Sequence, residues 1–391
     1  MKRLIALIFL ATMPQAANSQ IVAAMNGFTS DVYKQVARSG ENLVLSPFNV
    51  ATALSMALAG ARGQTEEEIR SVLHFEYGLT YHADLGALLA DLSATSNTAG
   101  NELLTANRLW LEKGFTLEPA FVKTLADHYQ AQPSPLDFLH EPEAARDRIN
   151  EWTSEHTNEK IRNLFPPNSF DARTRLVLSS AIYFYGKWQE PFLTSRTQPA
   201  PFVLSGGQTE KANFMHKTAH FGYTDTPSAQ ILEMRYAGTG IAFDVLLPKT
   251  VTGLPDLEKS VTQENLTGWL GKLSIRSVEV SFPKFRAESQ LSLGEALSKL
   301  GMPMAFSGKA DFSGISRNGS LAINQIVHKA FVDVSEQGTE AAAATGLTMS
   351  LAAVHMPEEV VVFRADHPFL FLIRDTRSGV VLFMGRFANP Q

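Results

Sequence analysis

The sequence predicts a mixed α+β fold, and three observations carry that prediction. Helical periodicity fills the first part of the chain, and β-branched or aromatic runs fill the second. No linker rich in Pro, Ser or Gly divides the two, so residues 20–391 are expected to form one domain. The 391 residues are 45% hydrophobic and 19% charged, which supplies a sizeable core and excludes a disordered chain. No repeat at a fixed period is present.

Ile21, Met25, Phe28, Val32 and Val36 keep three-to-four spacing and predict the first helix. After Ser46-Pro47 a second carries Val50, Ala53, Leu54, Ala57 and Leu58 and stops at Gly60. A third is expected to start at Thr65, with Thr65 as cap and Glu68 reaching back. Helix signals continue through 85–92 and 119–129, and Pro142 suits the first turn of a helix carrying Ala145, Ile149 and Trp152. Strands are then expected at 176–178, 181–185, 241–247, 278–282, 360–363 and 369–373, which are β-branched or aromatic and mostly end at or near Gly, Pro or Asp. One more helix, 292–300, ends at Gly301. A hairpin closes the chain, with its turn at 375–379 and its second strand at 380–387.

The N-terminus reads as an export signal. Lys2 and Arg3 precede an apolar run at 4–10, and small residues follow at Ala16, Ala17 and Ser19. The run is too short to span a bilayer, and cleavage is expected within 17–19. Cysteine is absent, so an exported form is stabilised by packing alone and has neither a thiol nucleophile nor a zinc–thiolate site. That combination fits a bacterial secreted or periplasmic protein better than an animal one. The net charge of -5, with no basic run, gives no reason to expect nucleic acid or an anionic membrane as partner.

Enzyme motifs are missing. The nearest approach to a nucleophile elbow, Gly314 to Asn318, lacks the final glycine. Ala310 stands where a phosphate loop needs Ser or Thr. His216 and His220 have a metal-compatible spacing for a helix but no third ligand, so no metal or other cofactor is expected.

The informative segment lies near the C-terminus. Between Glu340 and Glu358 no side chain is formally charged. Odd-numbered positions are Thr339, Ala341, Ala343, Thr345, Leu347, Met349 and Leu351; even-numbered ones are small or polar after Glu340. That is the alternation of a strand with one buried face. An alanine-rich helix over 339–344 competes on propensity, but Thr345, Gly346 and Thr348 weaken it. A static strand competes too, yet residues 323–334 already read as a long strand and 336–338 as a turn. A loop able to become a strand satisfies all of this, with Gly338 as its hinge.

At this point the chain resembles the serpin family over nearly all of its mature length. Residues 336–345, Glu-Gln-Gly-Thr-Glu-Ala-Ala-Ala-Ala-Thr, look like the hinge of an inhibitory serpin's reactive loop. Val327-His328-Lys329-Ala330 is similar to the family's central-sheet strand, and blocks at 42–50, 181–188, 282–285, 310–315, 366–369 and 383–386 match as well. The resemblance implies three β-sheets, helices mostly in the N-terminal part, and an exposed reactive loop at about 338–357. It also implies a non-enzymatic activity, in which a protease cuts the loop and is trapped as an acyl-enzyme while the loop enters the central sheet, a mode of strand addition known in serpins. Glu336, Gly338, Thr339, Ala341, Ala343 and Thr345 would form the hinge. Trp188 would sit where the loop first enters the sheet, and Asn42, Ser46, Asn49, Ser180 and His328 under the strands that part. Ser180 stands where the family usually has an asparagine, which predicts a looser or water-bridged contact with His328.

In the family the cut falls about sixteen residues after the hinge glutamate, which gives Ala352-Ala353; counting back from Pro368-Phe369 favours a position nearer Val354. Leu351, Ala352, Ala353 and Val354 are all small or aliphatic, and no Arg or Lys is near. The expected partner is an elastase- or subtilisin-like serine protease, with a chymotrypsin-like one if Leu351 or Met349 is read, and a cysteine protease as a further class. Residues 81–107 carry almost no Lys or Arg, so no heparin site is expected there. A monomer is expected. The alternative is a non-inhibitory serpin-fold carrier or chaperone, whose hinge would carry bulky or charged residues or proline.

Overall fold

A computed structural model describes residues 15–76, 80–339 and 359–390. The period-two stretch beyond Thr339 and most of the expected export segment lie outside the described residues. The first part of the chain holds α1 (Gln15–Val36), β1 (Leu43–Leu45), α2 (Pro47–Leu58), α3 (Gly63–Val72), α4 (Tyr81–Ser96), β2 (Glu102–Glu112), α5 (Pro119–Tyr129), β3 (Ser134–Leu136) and α6 (Pro142–Glu155). Then come β4 (Leu176–Lys187), β5 (Gln198–Val203), β6 (Thr209–Asp225), β7 (Ala229–Arg235) and β8 (Ile241–Pro248). They are followed by α7 (Leu254–Ser260), α8 (Gln263–Leu270), β9 (Ser274–Pro283), β10 (Phe285–Ser292) and α9 (Gly294–Leu300). The chain closes with β11 (Ile323–Ser335), β12 (Gly338–Thr339), β13 (Val361–Arg364), β14 (Phe369–Asp375) and β15 (Val381–Phe387).

Local signals place most of these. Ser46 Oγ accepts the Asn49 N–H at 3.2 Å and Pro47 fills the first turn, so α2 starts there. α3 departs from expectation: it begins at Gly63, and neither Thr65 nor Glu68 caps it. Thr65 Oγ1 accepts the N–H of Asp311 at 2.9 Å and Glu68 that of Met304 at 2.8 Å. Both side chains therefore serve backbone donors, but those of a segment distant in sequence. The two expected strands around residue 180 are one continuous β4. Ser179 and Ser180 do not interrupt it, because their hydroxyl oxygens accept from Trp110 Nε1 and Asn49 Nδ2, each at 2.9 Å.

β4 lies in a six-stranded sheet of order β10-β11-β12-β4-β2-β3. The other strands form a nine-stranded array, β1-β15-β14-β8-β7-β6-β9-β13 with β5 on β6. The three expected sheets are present in this form: the 17-residue β6 joins two parts of the array, pairing β5 near its start and β7 near its end. The six-stranded sheet is buried on both faces. Leu176, Leu178, Ile182 and Phe184 of β4 point into the main core, while Val177, Ala181 and Tyr183 point into a second cluster with Trp110, Ile149, Trp152 and Phe331 beneath α6.

Candidate functional site

β11 and β4 run side by side in parallel from Ile323 opposite Leu176 to Ala330 opposite Ile182. Past that point they part, and the two residues of β12 fill the gap. Gly338 and Thr339 pair antiparallel with Ser335 and Val334 on one side and with Lys187 and Gly186 on the other. Gly338 has a φ of 149°, and a Cβ there would sit 1.9 Å from the carbonyl oxygen of Gly186. Only glycine fits.

Residues 335–339 are held by side chains from several elements. Trp188 donates its backbone N–H to Gln337 O and its indole Nε1–H to Ser335 O, both at 2.9 Å. Its ring stacks on Tyr236 at 4.5 Å between centroids, and the Tyr236 hydroxyl meets Thr339 Oγ1 at 2.5 Å. Thr339 is 1% exposed. Glu336 is buried, paired with Lys284 Nζ at 2.8 Å and accepting from Thr197 Oγ1 at 2.8 Å. Burial alone would raise its carboxyl, but the bonds from Lys284 and Thr197 outweigh it and hold the group below the usual glutamate range.

A second constellation lies further along the β4–β11 seam. His328 is fully buried and takes the Ser46 N–H on Nε2 at 2.9 Å. Nδ1 therefore carries the ring proton and faces Ser180 Oγ at 3.1 Å and Ser180 O at 3.2 Å. Asn49 Nδ2 reaches Ser180 Oγ at 2.9 Å and Ala181 O at 3.0 Å, and Ser46 Oγ donates to Leu382 O at 2.5 Å. Burial drives the His328 pKa down to about 4, so the ring is neutral at ordinary pH.

Of the residues expected here, Trp188, Glu336, Gly338 and Thr339 meet around β12, and Ser46, Asn49, Ser180 and His328 meet at the second constellation along the seam. One expectation is corrected. Asn42 is not beside β4 and β11; it binds the backbone of Ala388 and Asn389. Between Ser180 and His328, where a looser or water-bridged contact is expected, the contact is direct, at 3.1 Å. Ala341, Ala343, Thr345, Leu351, Ala352, Ala353 and Val354 lie outside the described residues. His216 and His220 are on β6, where four residues span about 13 Å, too far to share a metal, and His216 Nδ1 contacts Ser281 Oγ at 2.9 Å. The sequence reading missed Lys284, Thr197, Tyr236 and Asn107, the last of which donates to Asn49 Oδ1 at 2.6 Å. Only Lys284 had a signal, as part of the Phe-Pro-Lys-Phe block at 282–285.

The arrangement is shared with known proteins. Residues 23–390 match the family described as Serpin (serine protease inhibitor). The leukocyte elastase inhibitor of Bos taurus is 39% identical over 381 residues, covering 95% of this chain and 100% of that protein. A serpin-like protein of Methanosarcina acetivorans is 36% identical over 95% of this chain and 86% of its own. Among solved structures, Serpin48 of the insect Tenebrio molitor superposes with a TM-score of 0.83 at 34% identity, over 95% of this chain and 98% of that one. Uncleaved ovalbumin does so with 0.84 at 30%, over 95% and 100%. The chain belongs to the serpin family. It stands among protease inhibitors rather than enzymes.

Proposed function

We propose that this serpin is a suicide inhibitor of serine proteases, cut near Ala352-Ala353 and trapping the protease by inserting its loop between β4 and β11. The protease serine oxygen attacks the carbonyl carbon of the bond; the amide C–N bond breaks, its nitrogen leaves as a protonated new N-terminus, and an ester joins the two proteins. Loop insertion then draws that ester away from the catalytic machinery.

The observation that carries this reading is the seating of Gly338 and Thr339 as a strand between β4 and β11. Continued in the same register, the loop sets Thr345 between Ser180 and His328, the pair that now bond to each other across the seam. Odd-numbered loop residues as far as Met349 land on the main-core face, where Thr339 already points. Even-numbered ones from Ala342 land beneath α6, which accounts for the small residues Ala342, Ala344 and Gly346. About ten added backbone bonds at ~1 kcal/mol net each, plus burial of Leu347 and Met349 at ~1.5–3 kcal/mol apiece, give enough to distort an active site.

An elastase- or subtilisin-like target is favoured by the aliphatic residues 351–354 and by relatives named leukocyte elastase inhibitor. Export through residues 1–19 to a periplasmic or extracellular location, as a monomer, is part of the same proposal, and N-terminal sequencing of the mature chain tests the cleavage. The mechanism is tested by incubation with an elastase. A complex that survives denaturing electrophoresis is expected; cleavage with no complex would overturn inhibition and favour a carrier or chaperone.

A further inference from the structure

Near the far end of the β4–β11 seam a side chain interrupts the backbone ladder. The register slips between Ile323 and Gln325, leaving Asn324 as the bulged residue. Its carboxamide oxygen accepts from two consecutive backbone donors, Arg175 N–H at 2.7 Å and Leu176 N–H at 3.2 Å. In an unbroken sheet consecutive N–H groups point to opposite edges, so a neighbouring strand's carbonyl takes one of the two. Beside it, Gln325 Nε2 donates to Ser169 O, and a cavity of about 360 Å³ opens between Ser169, Asp171, Thr174, Asn324 and Gln325.

We infer that Asn324 is a bolt on this end of the seam, and that the incoming loop must displace it to complete insertion. The inference rests on the loop-insertion reading above. In the register set by Gly338 and Thr339, loop residue Met349 falls between Leu176 and Asn324, and Ser350 between Arg175 and Ile323. Those are the positions where the Asn324 oxygen now acts as acceptor. With a cut near Ala352, the bolt opens last, when the tethered protease reaches the end of the sheet. At that moment the ester has two fates. Full insertion preserves it; otherwise water attacks its carbonyl carbon, regenerating the protease serine and leaving a cut, spent inhibitor. A tighter bolt holds the loop short and favours hydrolysis, and a looser one favours the trapped complex. Asn324 is thus a positioning residue that touches neither the bond nor the protease.

The test uses the full chain with Asn324→Ala and Asn324→Asp, measuring the ratio of trapped complex to cut inhibitor with an elastase. Melting of each protein is followed before and after loop cleavage. Ala removes the acceptor and should raise the ratio by up to about tenfold, the equivalent of one net hydrogen bond. Asp accepts both N–H groups with a full charge and should lower it. Native Asn324→Ala should melt below the parent, while its loop-cleaved form, where the loop supplies an acceptor, should lose less relative to the cleaved parent. Parental ratios in both variants would overturn the bolt, as would equal melting losses in the native and cleaved forms, which mark a merely structural contact. A parent chain that forms no complex at all would overturn the insertion reading, and the bolt with it.

Discussion

Ser46 and His328, 282 positions apart, are joined by one bond: the backbone N–H at the start of α2 donates to the imidazole Nε2 on β11 at 2.9 Å. That bond fixes the tautomer and aims Nδ1–H at Ser180, so the seam is closed by a neutral ring. A second ring proton would point Nε2–H at another donor.

Acid should therefore weaken the closed sheet. The His328 pKa lies near 4 against 6.5 in the unfolded chain, so between those values the unfolded state binds the extra proton. Stability attributable to His328 is intact above about pH 6.5, falls as pH drops and levels off below 4, a loss of roughly 3 kcal/mol. His82, also held near 4 by burial and by His128, contributes in the same window. His328→Asn should remove about half of the combined slope, as read from urea midpoints at stepped pH; an unchanged slope contradicts the assignment.

Thr339→Arg should turn the inhibitor into a substrate. Thr339 is buried against Tyr236, and an arginine there must bring an unpaired charge into the core. Gel analysis after protease treatment should show cleavage without complex; undiminished complex would speak against insertion at this point.

Lys284→Met should loosen the hinge. It leaves Glu336 buried with only Thr197 and backbone as partners, at a cost of about 1 kcal/mol, since the lysine is 38% exposed and water screens the pair. The Glu336 contribution is present above about pH 4.5 and lost as its carboxylate takes up a proton below that, so parent and variant should converge in acid. Lys284→Arg should restore most of the stability.

A panel of elastase-, subtilisin-, chymotrypsin- and trypsin-like proteases, with masses of the released C-terminal fragment, should place the cut between Leu351 and Val354. The trypsin-like member should be the weakest. A fragment starting after an Arg or Lys would refute the target class.

Elements with strong local punctuation were legible from sequence: Ser46-Pro47, Pro119 and Pro142 start helices where expected. Thr65 and Glu68 misled because a side-chain acceptor does not declare which backbone it will serve. Strands such as β5 and β6 carry several exposed residues, so their signal is weak. At the site, residues within recognisable blocks were found, while Tyr236, Thr197 and Asn107 were not. Their roles arise from tertiary proximity alone.

The parallel run of β4 beside β11 carries a last implication. Parallel ladders are slightly weaker per residue than antiparallel ones, and an inserted loop would replace this single seam with two antiparallel ones. Under the proposed insertion, the fold described here would be a shallow basin beside a deeper one, kept apart by a barrier. Its lifetime is a rate, so its apparent melting temperature should shift with heating rate.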